Sequence, residues 1–334
     1  MNLTIETPLT VQSSSRFAFL SSSRFALLSS SRFALEPQGP FSLREAALFG
    51  FGQRHEDAFD GWMRLSFCLD GYDAAVGVAL RQDARGVVHG EIAIGRAHAA
   101  EPGAIAAQVA RVLSLDVDAR SFVALGERDP VLARLLAVAP GLRPPLFHSP
   151  YEAALWSVLS ARRPWRVGQQ WRSKLAQAAG TRFELQGRTS WSVPLPQRID
   201  ELGAAAIARI CGIEAQRAER IVAVASAAVA GELDATQLAQ LARSDVARAR
   251  ALLKTLPGIG PFYADLILIR ATGLTDLLPA NEPRFLALLG TLYGLGAPAT
   301  PEQAEQLARC WSPWRTWAAV LVRAAGPRVL GSKR

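Results

Sequence analysis

Between residues 62 and 94 the apolar positions fall in short runs separated by Gly and Asp, in the stretch WMRLSFCLDGYDAAVGVALRQDARGVVHGEIAI. That rhythm predicts three β-strands, at 62–69, 75–81 and 87–94, forming a small antiparallel sheet. Residues 101–116 (EPGAIAAQVARVLSLD) change period and place apolar residues at i, i+3, i+4 and i+7, a helix that packs on the sheet. After PGLRPPLFHSP at 140–150 the helical period continues almost to the end, apart from a short WSV island near 191. Helices are predicted at 150–162, 165–179, 198–210, 214–230, 235–241, 245–254, 261–272, 282–293, 301–310 and 313–325, with Pro and Gly between them. The expected fold class is α+β: a small antiparallel-sheet α/β domain at 39–139, then an all-helical domain at 140–330.

The N-terminus repeats one phrase three times: SSSRFAFL, SSSRFALL and SSSRFALE, from residue 13 to 36. A period of eight is too short for a unit that buries its own core. Residues 1–38 are therefore set apart as a low-complexity segment, superficially like a transit peptide or β-like with Phe and Leu paired on one face, and read as an incidental tandem duplication in which one copy could start a strand.

Charge adds a direction. The chain carries a formal +8 with a pI near 10.1, which favours a polyanionic partner. Residues 240–334 hold twelve Lys and Arg against six acids. No window approaches 18 uninterrupted apolar residues, so no membrane span is expected. The cysteines, Cys68, Cys211 and Cys310, lack any metal-ligand spacing and read as buried small hydrophobes in a reducing cytoplasm. The histidines (His55, His89, His98 and His148) are scattered and take surface or core roles.

The most specific signal lies at 245–273. DVARARALLKT and PFYADLILIRATG are joined by Leu256-Pro257-Gly258-Ile259-Gly260, a helix–hairpin–helix element. Glycines there allow backbone that other residues avoid and let a DNA strand come close. The second helix offers unpaired N–H groups to a phosphate oxygen. Beyond it, LPANEPRF at 278–285 places a carboxylate, Glu282, at the start of the next helix, with Asn281 as the expected N-cap.

In order and spacing, PGLRPP, IEAQRAERIVAVASAAVAGEL (213–233), LPGIG, Asp276-Leu-Leu-Pro279 and WSPWRTWAAVLVRAA (311–325) resemble the helix–hairpin–helix DNA glycosylases, specifically the alkylation-repair branch of the 3-methyladenine DNA glycosylase II type. The likeness covers most of residues 40–325. It implies base flipping and hydrolysis of the N-glycosidic bond of a damaged base in double-stranded DNA, with alkylated purines as the substrate. The family's catalytic aspartate falls on Glu282. Its base pocket falls on Phe262, Leu266 and Arg323. An arginine at 323 repels a cationic base unless it turns outward or pairs with Glu282. The family's wedge into the base stack reads Ala161-Arg162 here, so Arg162 and Arg163, ahead of Pro164-Trp165, could supply another. Strand-nicking relatives carry a lysine where this chain has Phe262, so a monofunctional enzyme is expected.

The resemblance also implies that the backbone carbonyls of Lys254, Leu256 and Ile259 hold a monovalent cation, with no other cofactor required. A monomer, associated with the nucleoid when bound to DNA, is expected. The alternative is a catalytically weak or inactive DNA-binding member of the same fold, in which Glu282 is an ordinary first-turn carboxylate. Asp265 is expected to hold the preceding turn and Asp276 to brace the loop around Pro279. Trp311, Trp314 and Trp317 are expected to form a core stripe, and Arg315 reaches either a phosphate or solvent.

Overall fold

The computed structural model describes residues 24–29, 31–50, 59–94 and 101–331. The first repeat copy, the start of the second, His55 and His98 lie outside them. Five strands form one antiparallel sheet in the order β1-β2-β5-β4-β3: β1 Arg24–Ser29, β2 Arg32–Glu36, β3 Met63–Cys68, β4 Ala75–Gln82 and β5 Val88–Ile94. The three predicted strands are β3–β5. The repeat takes its β-like alternative, with two copies forming strands rather than one. Its second and third copies pair with each other, Arg24 opposite Glu36, and β2 pairs with β5. Phe33 and Leu35 are fully buried. Phe33 lies across Gly90, where a Cβ would come within 2.2 Å of its ring. α1 (Leu43–Gly50), unforeseen, and α2 (Pro102–Val112) complete this layer, and Leu43, Ala46, Ala47, Ile105, Ala106 and Val109 share its core.

The other face of the sheet is covered from the helical half. β6 (Arg182–Leu185) and β7 (Arg188–Trp191) form a hairpin through Gln186 and Gly187, both at positive φ (46° and 73°). Positive φ at both central residues matches the two-residue turn that suits strand twist. Phe183 and Leu185 pack on Ala75 and Ala79, and the Phe183 ring leaves no room for a side chain at Gly77. Because both faces are covered, β4 is buried along most of its length.

The helices form two cores. One gathers α5 (Pro150–Ser160), α6 (Trp165–Ala179), α7 (Pro196–Cys211), α8 (Ala215–Val229), α9 (Ala235–Ser244), α10 (Val246–Leu253) and α11 (Pro261–Ala271). α7 is broken at Gly203, whose φ of 68° interrupts the helix expected at 198–210. The other core joins α12 (Pro283–Leu292), α13 (Pro301–Leu307) and α14 (Arg315–Val329) to two helices that precede the 140–150 loop, α3 (Arg120–Val123) and α4 (Pro130–Val138). Chain order thus places α3 and α4 before the helical domain, while packing assigns them to it. Asp129 fixes them there. Its Oδ1 accepts from the Val131 and Leu132 amides, and its Oδ2 accepts from Tyr293 Oη at 2.5 Å and Trp311 Nε1 at 2.9 Å. Trp311, Trp314 and Trp317 are buried in this core as expected.

Arg143 of PGLRPP binds the layers together. It is 1% exposed and donates to the carbonyls of Gln38, Gly39, Pro40, Ser114 and Val117. Burial pushes its guanidinium down to about 10. Cys68 and Cys211 are buried, whereas Cys310 is exposed. Among the described residues no helix is long and apolar enough to cross a membrane.

Candidate nucleic-acid interface and active site

α10 and α11 form the helical hairpin, and its turn has two sides. Leu256 and Ile259 point inward and join the helical core, while Lys254, Pro257 and Gly258 are exposed. The two apolar residues therefore anchor the turn and offer a ligand only their main chain. Gly258 has φ +91°, a region costly for any other residue. No side chain caps α11, which starts at Pro261 after Gly260. Its first N–H groups are thus left for an external acceptor. Asp265 does not hold the turn; it pairs with Arg250 Nε at 2.6 Å and so ties α11 to α10.

One residue here was not anticipated. Arg220 on α8 lies over the turn, its Cδ 2.9 Å from where a Cβ at Gly258 would stand. Among the described residues no acid pairs with it, so the turn gains an uncompensated positive charge. The sequence signal was the run IEAQRAER, but only folding brings α8 beside the turn. Arg162 and Arg163 are exposed at the end of α5, and Arg162 is held at φ 54°. Arg217, 7% exposed, supports this corner by donating to the Val158 and Ala161 carbonyls at 2.6 and 3.3 Å. Arg163 lies over the Trp171 ring and 3.8 Å from Glu214. Trp165, next in line, is 41% exposed.

Of the pocket residues, Phe262 and Leu266 stand four apart on α11 and so share one face. Phe262 is 51% exposed and Leu266 half-buried, whereas Ala264, Ile267 and Leu268 are buried in the core. That face of α11 is left open.

Glu282 is itself the N-cap of α12, not Asn281, because Pro283 occupies the first helical position. Its Oε1 accepts from the Arg284 amide at 3.2 Å and its Oε2 from the Phe285 amide at 2.7 Å. Arg323 Nε on α14 lies 3.3 Å from the same Oε2. Oε1 has one of these bonds and so keeps a lone pair for water. The carboxylate is half-buried, its side chain 21% exposed.

α14 also fixes the loop that carries it. Asp276 accepts from Arg315 Nε at 2.7 Å and Nη2 at 2.9 Å, from the Arg315 amide at 3.1 Å and from Ser312 Oγ at 2.9 Å. Arg315 thus pairs with Asp276, a partner the sequence did not indicate. Thr316 Oγ1 accepts from the Leu277 amide and donates to its carbonyl. Burial opposes ionisation of Asp276, but the hydrogen bonds from Arg315 and Ser312 outweigh it and hold its carboxyl below the usual range. Arg315 and Arg323 are eight residues apart, about 12 Å along the helix. The 275–282 loop is clamped near both ends.

No protein-family model matches the chain. Among solved structures, a 3-methyladenine DNA glycosylase from Archaeoglobus fulgidus superposes with a TM-score of 0.72 at 20% identity, covering 86% of this chain and 96% of that one. The fold is that of the helix–hairpin–helix DNA glycosylases. In sequence the chain resembles the bacterial 3-methyladenine enzymes. It is 24% identical over 204 residues to the DNA-3-methyladenine glycosylase of Bacillus subtilis, covering 61% of this chain and 66% of that protein. It is 29% identical over 191 residues to DNA-3-methyladenine glycosylase 2 of Escherichia coli, covering 56% and 61%. The matched regions span just under two thirds of those relatives' lengths.

Proposed function

We propose that this protein is a monofunctional DNA glycosylase that removes alkylated purines from double-stranded DNA, with Glu282 as its acidic group. The observation that carries the reading is the setting of Glu282: a carboxylate held by two main-chain amides, one loop beyond a glycine hairpin, on a segment clamped by α14. Breaking the glycosidic bond leaves positive charge on the sugar, and a fixed carboxylate stabilises it. The free lone pair of Oε1 orients the attacking water, whose oxygen bonds C1′ while the base leaves with the bond's electron pair. The base is first turned out of the stack, at a cost of a few kcal/mol that is least for a damaged base.

The hairpin turn and the α11 amides take a phosphate, with Arg220 adding a second contact. Arg162 and Arg163, with Trp165 behind them, fill the gap that the extruded base leaves. The open face of α11 carrying Phe262 and Leu266 receives the base. The carbonyls of Lys254, Leu256 and Ile259 are oxygen donors of the kind a monovalent cation takes. The Leu256 carbonyl already accepts from the Ile259 amide at 3.0 Å and would use its second lone pair. The protein works as a cytoplasmic monomer.

A second reading is favoured by the same geometry: Glu282 already caps a helix and meets Arg323, so the chain could bind damaged DNA without turnover. The test is incubation with methylated duplex DNA, followed by separate assays for free base and for strand nicking. Free base with intact strands supports the proposal. Nicking without added base or heat overturns monofunctionality, and no free base at all favours the binding protein.

A further inference from the structure

The ion pair at the proposed active site carries a consequence for which lesions are removed. Glu282 Oε2 and Arg323 Nε are 3.3 Å apart, with side chains 21% and 31% exposed. A carboxylate that works beside C1′ brings whatever lies against it within a few ångströms of the departing base. Arginine keeps its charge at every working pH. Resting on the glycosylase reading above, we propose that Arg323 is a specificity-determining residue that turns the site towards neutral alkylated purines and away from cationic ones.

A purine alkylated at N3 or N7 carries a formal positive charge as the nucleoside, and the Arg323 guanidinium, by pairing with Glu282, cancels the attraction that a lone carboxylate would offer it. At about 6 Å, with an effective dielectric of about 20 and a discount for partial exposure, that lost attraction lowers cleavage roughly tenfold or more. A neutral purine is the opposite case. Its glycosidic bond breaks by moving an electron pair onto the ring, so negative charge grows on a base that has none to begin with. A fixed guanidinium donates hydrogen bonds to ring nitrogens or a keto oxygen as that charge develops. The balance is that of hydrolysis: water's oxygen bonds C1′, one proton leaves it through Glu282, and the base takes up a proton on departure.

The pairing with Glu282 sharpens the effect. A lone carboxylate attracts a cation, whereas a carboxylate matched by a guanidinium presents no net charge to an incoming base. Arg323 also comes from α14, the helix that clamps the Glu282 loop at Asp276, so its position is set by the same packing as that of the acid.

The test measures single-turnover release from two duplexes, one holding 7-methylguanine and one 1,N6-ethenoadenine, with wild type, Arg323→Gln and Arg323→Lys. The proposal expects Arg323→Gln to raise 7-methylguanine release and lower ethenoadenine release, shifting their ratio at least tenfold. Arg323→Lys, which keeps the charge, should leave the ratio within about threefold of wild type. Equal loss on both substrates in a variant that melts normally would overturn the proposal, leaving Arg323 as a brace for Glu282. If Arg323→Gln fails to fold, Arg323→Met carries the same expectation, and an unshifted ratio there overturns the proposal. Release of neither base by wild type would instead overturn the glycosylase reading itself.

Discussion

Replacing Asp276 with alanine removes the clamp that α14 places on the Glu282 loop. Four hydrogen bonds end on that carboxylate, three from Arg315 and one from Ser312. Their strength is moderated by solvent, since the Arg315 and Asp276 side chains are 39% and 29% exposed. An exposed ion pair contributes about 0–1 kcal/mol. The Arg315 amide at the start of α14 is bonded in the manner of a helix cap, which contributes about 1 kcal/mol. Asp276→Ala should therefore cost about 2 kcal/mol in urea unfolding, with faster amide exchange confined to residues 275–282. The rate of base release should fall more than DNA affinity, because a misplacement near 1 Å can cost about a hundredfold in rate.

The same bonds give a pH dependence. The folded carboxyl of Asp276 ionises below its unfolded value, so its stabilisation is complete above about pH 4 and is lost as pH falls through the lower folded value. The wild type should lose this increment in acid, and Asp276→Ala should not. A loss under about 0.5 kcal/mol at neutral pH, with unchanged exchange in the loop, would refute the clamp.

Two further outcomes concern the hairpin. Gly258→Ala forces a side chain into φ +91° and against Arg220, so it should cost about 1–3 kcal/mol of stability and weaken DNA binding, by melting and titration. Arg220→Gln should weaken binding alike for damaged and undamaged duplex and reduce the salt slope of log K by about one. An unchanged slope would remove Arg220 from the interface.

How much of this was legible depended on whether one segment carried its own signal. β3–β5 and most helices announced themselves because their apolar period is local. The β6–β7 hairpin had a signal too, Phe183 and Leu185 alternating ahead of Gln186-Gly187, but it is short and sits among helices. α4 was marked by Asp129-Pro130, a cap and a first-turn proline, yet its true neighbours are nearly 200 residues away on α14. Sequence order concealed that pairing. Glu282 was legible as a carboxylate at a helix start. The Pro283 beside it also marked Glu282 as the cap in place of Asn281. What no spacing could supply was tertiary: Arg220 over Gly258 and Arg315 on Asp276, whereas the pairing of Arg323 with Glu282 was one of two arrangements the sequence left open. The repeat had left a β-like pairing open, and the sheet takes that alternative. Eight residues cannot bury a core alone, but two copies can pair and extend a sheet whose edge already exists.

The measurement closest to the central claim compares wild type with Glu282→Gln in single-turnover release of free base from methylated duplex DNA, with affinity measured in parallel. Glutamine keeps the size of the side chain and an oxygen for the cap but cannot carry the charge. The account predicts release by the wild type and a fall of at least a hundredfold in the variant, with DNA binding retained. Equal release by both would contradict it and leave Glu282 as the first residue of a helix.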